Sequence, residues 1–260
     1  MNRILNEGGN VFKDAAGTIL TVRINKADVI PTIQWLETIT GLELTDNILG
    51  STGKHATSGD LDIAVDANKV DKNEFAAKLG EYITKKGGDP KQWIKKSGIN
   101  VHFKTPINGN EDQGYVQADF MFGEPSWMKY SMRGGKEGSQ YKGMHRHILM
   151  ASIAKAKGMR WSFQNGLMQR GTDGKPDELI TRDPNEIAKK LLGLMATAKN
   201  VESVEDILDF ILKMPNYEEL VADARETLAK DGVELPRANQ IESMQTGTNA
   251  WFRRMMEAIK

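Results

Sequence analysis

At 260 residues, 39% of them hydrophobic, the chain can bury a sizeable core as one domain or two small ones. Its 35 basic and 35 acidic side chains cancel, so net charge gives no nucleic-acid signal and any such function must lie in how the charges are distributed. The lack of cysteine excludes disulfides, thiolate metal sites and thiol nucleophiles. No stretch reaches membrane-spanning length and the N-terminus has no apolar signal core, so a soluble, cytoplasmic protein without membrane contacts is expected.

Taken in order, residues 1–24 are Gly-rich and then β-like at Thr18 to Val22. Asp28 to Gly41 reads as a helix, with Ala27-Asp28 as its cap, Pro31 in the first turn and Val29, Ile30, Ile33, Leu36 and Ile39 as the apolar stripe. Asp46 to Leu49 can enter as a strand. Gly50-Ser51 then turns where backbone approaches a ligand with no Cβ in the way. A polar loop follows, carrying Lys54, His55, Ser58 and Gly59, and leads into Asp60-Leu61-Asp62-Ile63-Ala64-Val65. The period of two puts Asp60 and Asp62 on one face of a strand. Like charges so placed are unfavourable, and a hard divalent cation such as magnesium, which takes carboxylate and phosphate oxygens, is the simplest remedy. Asp66 has the same parity but lies at the strand end, where a turn or cap role is expected.

Lys72 to Lys86 reads as an amphipathic helix stopped by Gly87-Gly88, with Phe75, Leu79, Tyr82 and Ile83 facing inward. Lys91, Lys95 and Lys96 around Trp93 read as a solvated edge with one buried ring. Ile99 to Phe103 and Gly114 to Phe122 are two further strands joined by a turn-rich stretch, so Asp119 is expected on a hairpin. From Lys129 to Arg170 nine Lys/Arg face one acid. From Glu202 to Glu234 ten acids face three basic residues, so a dipolar molecule is expected, its basic part next to the acidic strands. His145 and His147, two apart on a helix, point in different directions and do not make a metal pair. Val204 to Met214 and Tyr217 to Lys230 read as helices, the first capped by Ser203. An end helix is expected around Trp251 to Ile259, where sealing a neighbouring unit, touching nucleic acid and binding a partner protein all stay open.

Gly50-Ser51, a polar loop, Asp60-x-Asp62 in an aliphatic strand and a third acid, Asp119, in a later one together resemble the nucleotidyltransferase superfamily, and within it the family X, polymerase beta-like, DNA polymerases. The resemblance extends through Tyr130-Ser-Met-Arg-Gly-Gly, Met144 to Leu167, and Asp183 to Gly193, which looks like the capped thumb helix ending in Leu-Gly. It implies an α+β nucleotidyltransferase palm with a mixed sheet flanked by helices, then a helical thumb-like region. The expected parts are 1–45 (N-terminal segment and palm-flanking helix), 46–128 (catalytic palm), 129–200 (thumb-like, contacting nucleotide and nucleic acid) and 201–260 (helical).

The implied activity is magnesium-dependent transfer of a nucleotide from a triphosphate to a 3′-hydroxyl of DNA, with release of pyrophosphate, in a DNA-repair setting. The same site on RNA, a protein or a small molecule, or a non-catalytic nucleic-acid-binding module, are the alternatives. Asp60, Asp62 and Asp119 would hold two magnesium ions, which manganese can replace, and Asp119 can also serve as base. Gly50, Ser51, Lys54, Ser58, Gly59, Arg146 and His147 are the candidate nucleotide contacts. Arg133, Lys136, Lys142 and Arg160 are the candidate nucleic-acid contacts. Departures from the family are the missing aromatic pair before Thr-Gly-Ser, the lysine where an arginine is usual at 54, and no recognisable lyase domain or helix-hairpin-helix motif.

Overall fold

In the computed structural model, which describes residues 10–136 and 138–238, the chain divides into two units at Gly134/Gly135. The first unit opens with β1 (Ile24–Asn25), which runs directly into α1 (Lys26–Thr40). Val29, Ile33 and Leu36 recur at helical spacing and are buried, and the helix ends where Gly41 takes φ 72° and its N–H reaches back to the Glu37 carbonyl. Asn25, not Ala27-Asp28, stands at the N-cap, and Pro31 therefore lies inside the helix.

The segment expected to enter as a strand does something else. The Glu37 carboxylate accepts the amides of Leu44 and Thr45 at 2.7 and 2.8 Å, and the chain winds through a 3-10 turn at Thr45–Asn47. These bonds hold the Glu37 carboxyl below its usual range. Only Ile48 makes a bridge, to Ile63, while the Leu49 N–H donates to the Asp62 carbonyl at 2.8 Å.

After β2 (Thr57–Ser58), which pairs with β1, comes β3 (Asp60–Asp66). Helix α2 (Lys72–Lys85) starts at Asp71, whose side chain accepts from the amides of Asn73 and Glu74. A one-turn α3 (Pro90–Trp93) precedes β4 (Ile94–Ser97), β5 (Asn100–Pro106) and β6 (Tyr115–Gly123). The sheet order is β3-β6-β5-β4, with β3 and β6 parallel and the remaining pairs antiparallel, so the sheet is mixed.

Alternation gives the sheet two unlike faces. Leu61, Ile63 and Val65 of β3, Val116, Ala118, Phe120 and Phe122 of β6 and Val101 and Phe103 of β5 share one core with Val29, Ile33 and Leu36 of α1 and Phe75, Leu79 and Ile83 of α2. The other face is polar at one end, bearing Asp60, Asp62, Gln117, Asp119 and His102. Its other end carries Ala64 and Met121, which pack with Leu49 and with Met128 of α4 (Pro125–Ser131).

The second unit contains α5 (Gly143–Ala156), an antiparallel sheet of β7 (Met159–Ser162), β8 (Gly166–Gln169) and β9 (Glu178–Thr181), then α6 (Pro184–Leu192), α7 (Val204–Ile211) and α8 (Tyr217–Ala229). Asp183 caps α6 by accepting the Glu186 amide, and Ser203 caps α7 by accepting that of Asp206. Helix α5 packs against α8, where the buried Ser152 hydroxyl donates to the Leu220 carbonyl at 2.8 Å and accepts the Ala224 amide. The basic and acidic stretches meet in this unit. Lys136 pairs with Asp206 at 2.7 Å and Lys155 with Asp223, so opposite charges from the two stretches mesh within one unit. The end helix expected around Trp251 falls outside the described residues. Among those described, no helix is long and apolar enough to cross a membrane.

Candidate active site

Register brings the acids together. In the parallel β3–β6 pair Asp62 lies opposite Asp119 and Asp60 opposite Gln117, all on the polar face. Asp60, Asp62 and Asp119 each offer a carboxylate oxygen within 4.8 Å of the others. Asp60 and Asp62 are half-buried and Asp119 is buried. The donor set is all carboxylate, the hard-oxygen chemistry that suits magnesium or manganese and not the softer metals that seek thiolate.

Two protein donors hold Asp119. His102 stands directly across the β5–β6 pair, and its Nδ1 lies 2.7 Å from Asp119 Oδ1; the Gln117 amide donates to Oδ2 at 3.1 Å. The Val11 N–H donates to Gln117 Oε1 at 2.9 Å, which fixes the orientation of that amide.

The turn of Gly50 adjoins the acids. Gly50 has φ 61°, and a Cβ there would sit 3.1 Å from Asp62 Oδ2, so both backbone conformation and proximity require glycine. The loop is held from within: Thr52 accepts the Asp62 amide at 3.1 Å, and Ser58 accepts that of Gly53 at 2.9 Å. Ser58, a candidate nucleotide contact from the sequence, is buried and closes the loop. Gly59 leaves room for Arg23, whose Nη1 would be 3.3 Å from a Cβ there. Ser51 is exposed at the turn.

Arg133 is also part of this region. Met128 docks α4 onto Ala64 and Met121, and the chain leaving α4 then forms a parallel bridge between Arg133 and Gly50. Gly134 passes so close that a Cβ would be 2.9 Å from the Gly50 carbonyl oxygen and 3.4 Å from Lys54 Nζ. Partial desolvation, and secondly the Arg133 charge, lower the Lys54 pKa. Two cations thus converge beside the turn, a suitable place for an anion.

The remaining candidates belong to the second unit. Arg146, a candidate nucleotide contact from the sequence, is 1% exposed and its Nε donates to the Val201 carbonyl at 2.6 Å; the guanidinium is a buried strut between α5 and the 3-10 turn at Ala198–Val201. His147 is half-buried, stacked on Trp161 with ring centroids 6.1 Å apart and accepting the indole N–H at Nδ1 over 3.1 Å. Burial, and secondly Arg146, push its pKa down to about 3.

A histidine so depressed takes up its proton more readily in the unfolded chain, so its contribution to stability is present above about pH 6.5 and is lost as pH falls toward 3. We expect His147→Phe to flatten the loss of urea-unfolding stability between pH 7 and 5 by up to one proton, about 1.4 kcal/mol per pH unit. Equal slopes in the two proteins would contradict this environment. Lys136 and Arg160 are surface groups paired with Asp206 and Asp177 at 2.7 Å each, and Lys142 is exposed at the N-cap of α5.

His102 and Gln117 escaped the sequence reading. Their signal is register: once Pro106 closes on Tyr115, His102 must face Asp119, but residues 107–114 are irregular and hide that closing pair.

No protein-family model matches the sequence, and no curated protein matches it. Among solved structures, the chain is similar to the Leishmania infantum polymerase beta ternary P/T complex, at 16% identity over 73% of each chain with a TM-score of 0.40. It is also similar to the ternary gap complex of the same polymerase, at 13% identity over 79% of this chain and 68% of the other, with a TM-score of 0.38. At this level of superposition, function has to be argued from the residues of the site.

Proposed function

We propose that the protein is a magnesium-dependent nucleotidyltransferase, and specifically a compact family X-like DNA polymerase that adds a nucleotide from a triphosphate to a 3′-hydroxyl and releases pyrophosphate. The observation that carries this reading is the meeting of Asp60, Asp62 and Asp119 beside a positive-φ glycine turn flanked by Lys54 and Arg133. A carboxylate cluster next to a cationic anion site is what joining a hydroxyl to a polyphosphate requires.

Asp60, Asp62 and Asp119 would hold the magnesium, which supplies Lewis-acid stabilisation and a more acidic attacking hydroxyl when bound. The chain supplies the rest. Ser51 on the exposed turn offers a hydroxyl to the triphosphate. Lys54 and Arg133 neutralise its charge, the arginine with the fork that lysine lacks. Asp119, held at both oxygens by His102 and Gln117, would accept the 3′-hydroxyl proton. The first unit is thus the proposed catalytic palm. The second, with exposed Lys142 and surface Lys136 and Arg160, is the proposed thumb-like region and nucleic-acid contact, and the protein acts in repair.

Lys54→Ala and Arg133→Ala are each expected to raise the triphosphate KM about tenfold with little change in kcat, because each removes one charge-assisted contact worth about 1.5–3 kcal/mol. Steady-state extension kinetics check it, and a fall in kcat at constant KM would move both residues away from triphosphate binding.

The deciding experiment is extension with labelled triphosphates and magnesium or manganese, offering gapped DNA, primed single strand, unprimed single strand and RNA in parallel, with Asp119→Ala as control. Templated extension lost in the control supports the polymerase reading. Transfer to some other acceptor would retain the chemistry and replace the substrate, while no transfer and no triphosphate binding would remove both.

A further inference from the structure

The row Asp62, Asp119, His102 crosses three neighbouring strands on one face, with His102 on the side of Asp119 away from Asp62. His102 is 5% exposed and engaged at both ring nitrogens: Nδ1 to Asp119 Oδ1 at 2.7 Å and Nε2 to the Ser97 hydroxyl at 2.6 Å. A carboxylate only accepts, so Nδ1 carries the proton, and in the neutral ring Nε2 accepts from Ser97. Without such restraint the terminal torsion of an aspartate is broad. With it, Oδ1 is tethered from the β5 side, which limits how the carboxylate can turn relative to β3.

We propose that His102, oriented by its contact with Ser97, is a positioning residue for Asp119: it donates from Nδ1 and so holds the carboxylate where an oxygen lies within 4.8 Å of those of Asp60 and Asp62. This deepens the metal-dependent reading above and rests on it. The inference differs from a purely structural role for a buried histidine, because it requires a donor at the Nδ1 position and not the ring itself.

The test is a manganese titration of the full chain without nucleotide, read by loss of the free-ion electron paramagnetic resonance signal, together with extension kinetics. Asn places its amide nitrogen near the position of Nδ1, whereas Leu offers no donor. His102→Leu is expected to bind manganese about 10- to 100-fold more weakly, the range seen when a ligand's outer partner is removed, with kcat reduced and triphosphate KM nearly unchanged. His102→Asn should recover most of both losses. Ser97→Ala, at an exposed position on the edge strand β4, should weaken manganese binding several-fold, and it carries the test if His102→Leu does not fold.

Wild-type affinity in His102→Leu, or in Ser97→Ala where that variant stands in, overturns the proposal, as does an Asn variant as weak as the Leu variant. Those results leave the metal site standing provided that Asp119→Asn still loses the ion. If the wild-type protein itself binds no manganese, the metal-site reading falls and the positioning role falls with it.

Discussion

Asp62→Asn is expected to fold and to transfer no nucleotide at a useful rate, with kcat down about a thousandfold or more. Asp62 is the acid nearest the Gly50 turn and lies in register with Asp119, so it joins the anion site to the carboxylate cluster. The amide keeps the shape and loses the charge, forfeiting several kcal/mol of metal-borne transition-state stabilisation, where each 1.4 kcal/mol or so is tenfold in rate.

Stability should move in the opposite direction. Like charges no more than 4.8 Å apart repel by about 3 kcal/mol or more at an effective dielectric of about 20, before solvent screening. The metal-free variant should therefore melt higher than the metal-free wild type, and magnesium should stabilise the wild type more than the variant. Single-turnover assays and thermal unfolding with and without magnesium check both signs. Transfer at more than about a tenth of the wild-type rate would falsify the place of Asp62 in the reaction.

Phe120→Ala is expected to destabilise the protein by about 3–5 kcal/mol, a large part of the ~5–15 kcal/mol that holds a domain together. Phe120 follows Asp119 on β6 but points to the opposite face, fully buried, with its ring 4.7 Å from that of Phe75 and tilted 64° to it. Strand β6 is an interior strand of the sheet, so a cavity there lies directly behind the acids. Urea unfolding should show a lower midpoint at an unchanged slope. Manganese affinity per folded molecule should stay near that of the wild type, because the removed ring is on the far side of the sheet. A loss below about 1 kcal/mol would be inconsistent with this packing.

The part of this architecture that sequence makes legible is the part set by local period. Leu61, Ile63 and Val65 alternate with acids, so β3 and the shared face of Asp60 and Asp62 follow from the pattern alone; β6 and Asp119 follow likewise. What stayed hidden depends on partners distant in the chain. Asp46 to Leu49 does not extend because Glu37, a helix residue, captures the amides that precede it. Arg146 contributed to a basic count, yet its guanidinium is buried against a carbonyl 55 residues away. Arg133 looked like a nucleic-acid contact and comes to Gly50 because α4 is seated by Met128 on Ala64 and Met121. Side-chain type revealed which residues carry charge; tertiary packing decided which of those charges remain at the candidate site.

The parallel pairing of β3 with β6 also bears on how the protein comes apart. Asp62 and Asp119 meet only when two strands separated in sequence by α2, α3, β4 and β5 have paired. Pairings between such distant segments are slow to close. A divalent ion that recognises only the joined strands has little to bind before that closure, so its effect falls on the barrier to opening. With magnesium held as proposed, the ion would in kinetic terms be a brake on unfolding and no accelerator of folding, and the protein's persistence would depend on its magnesium supply as well as on its core.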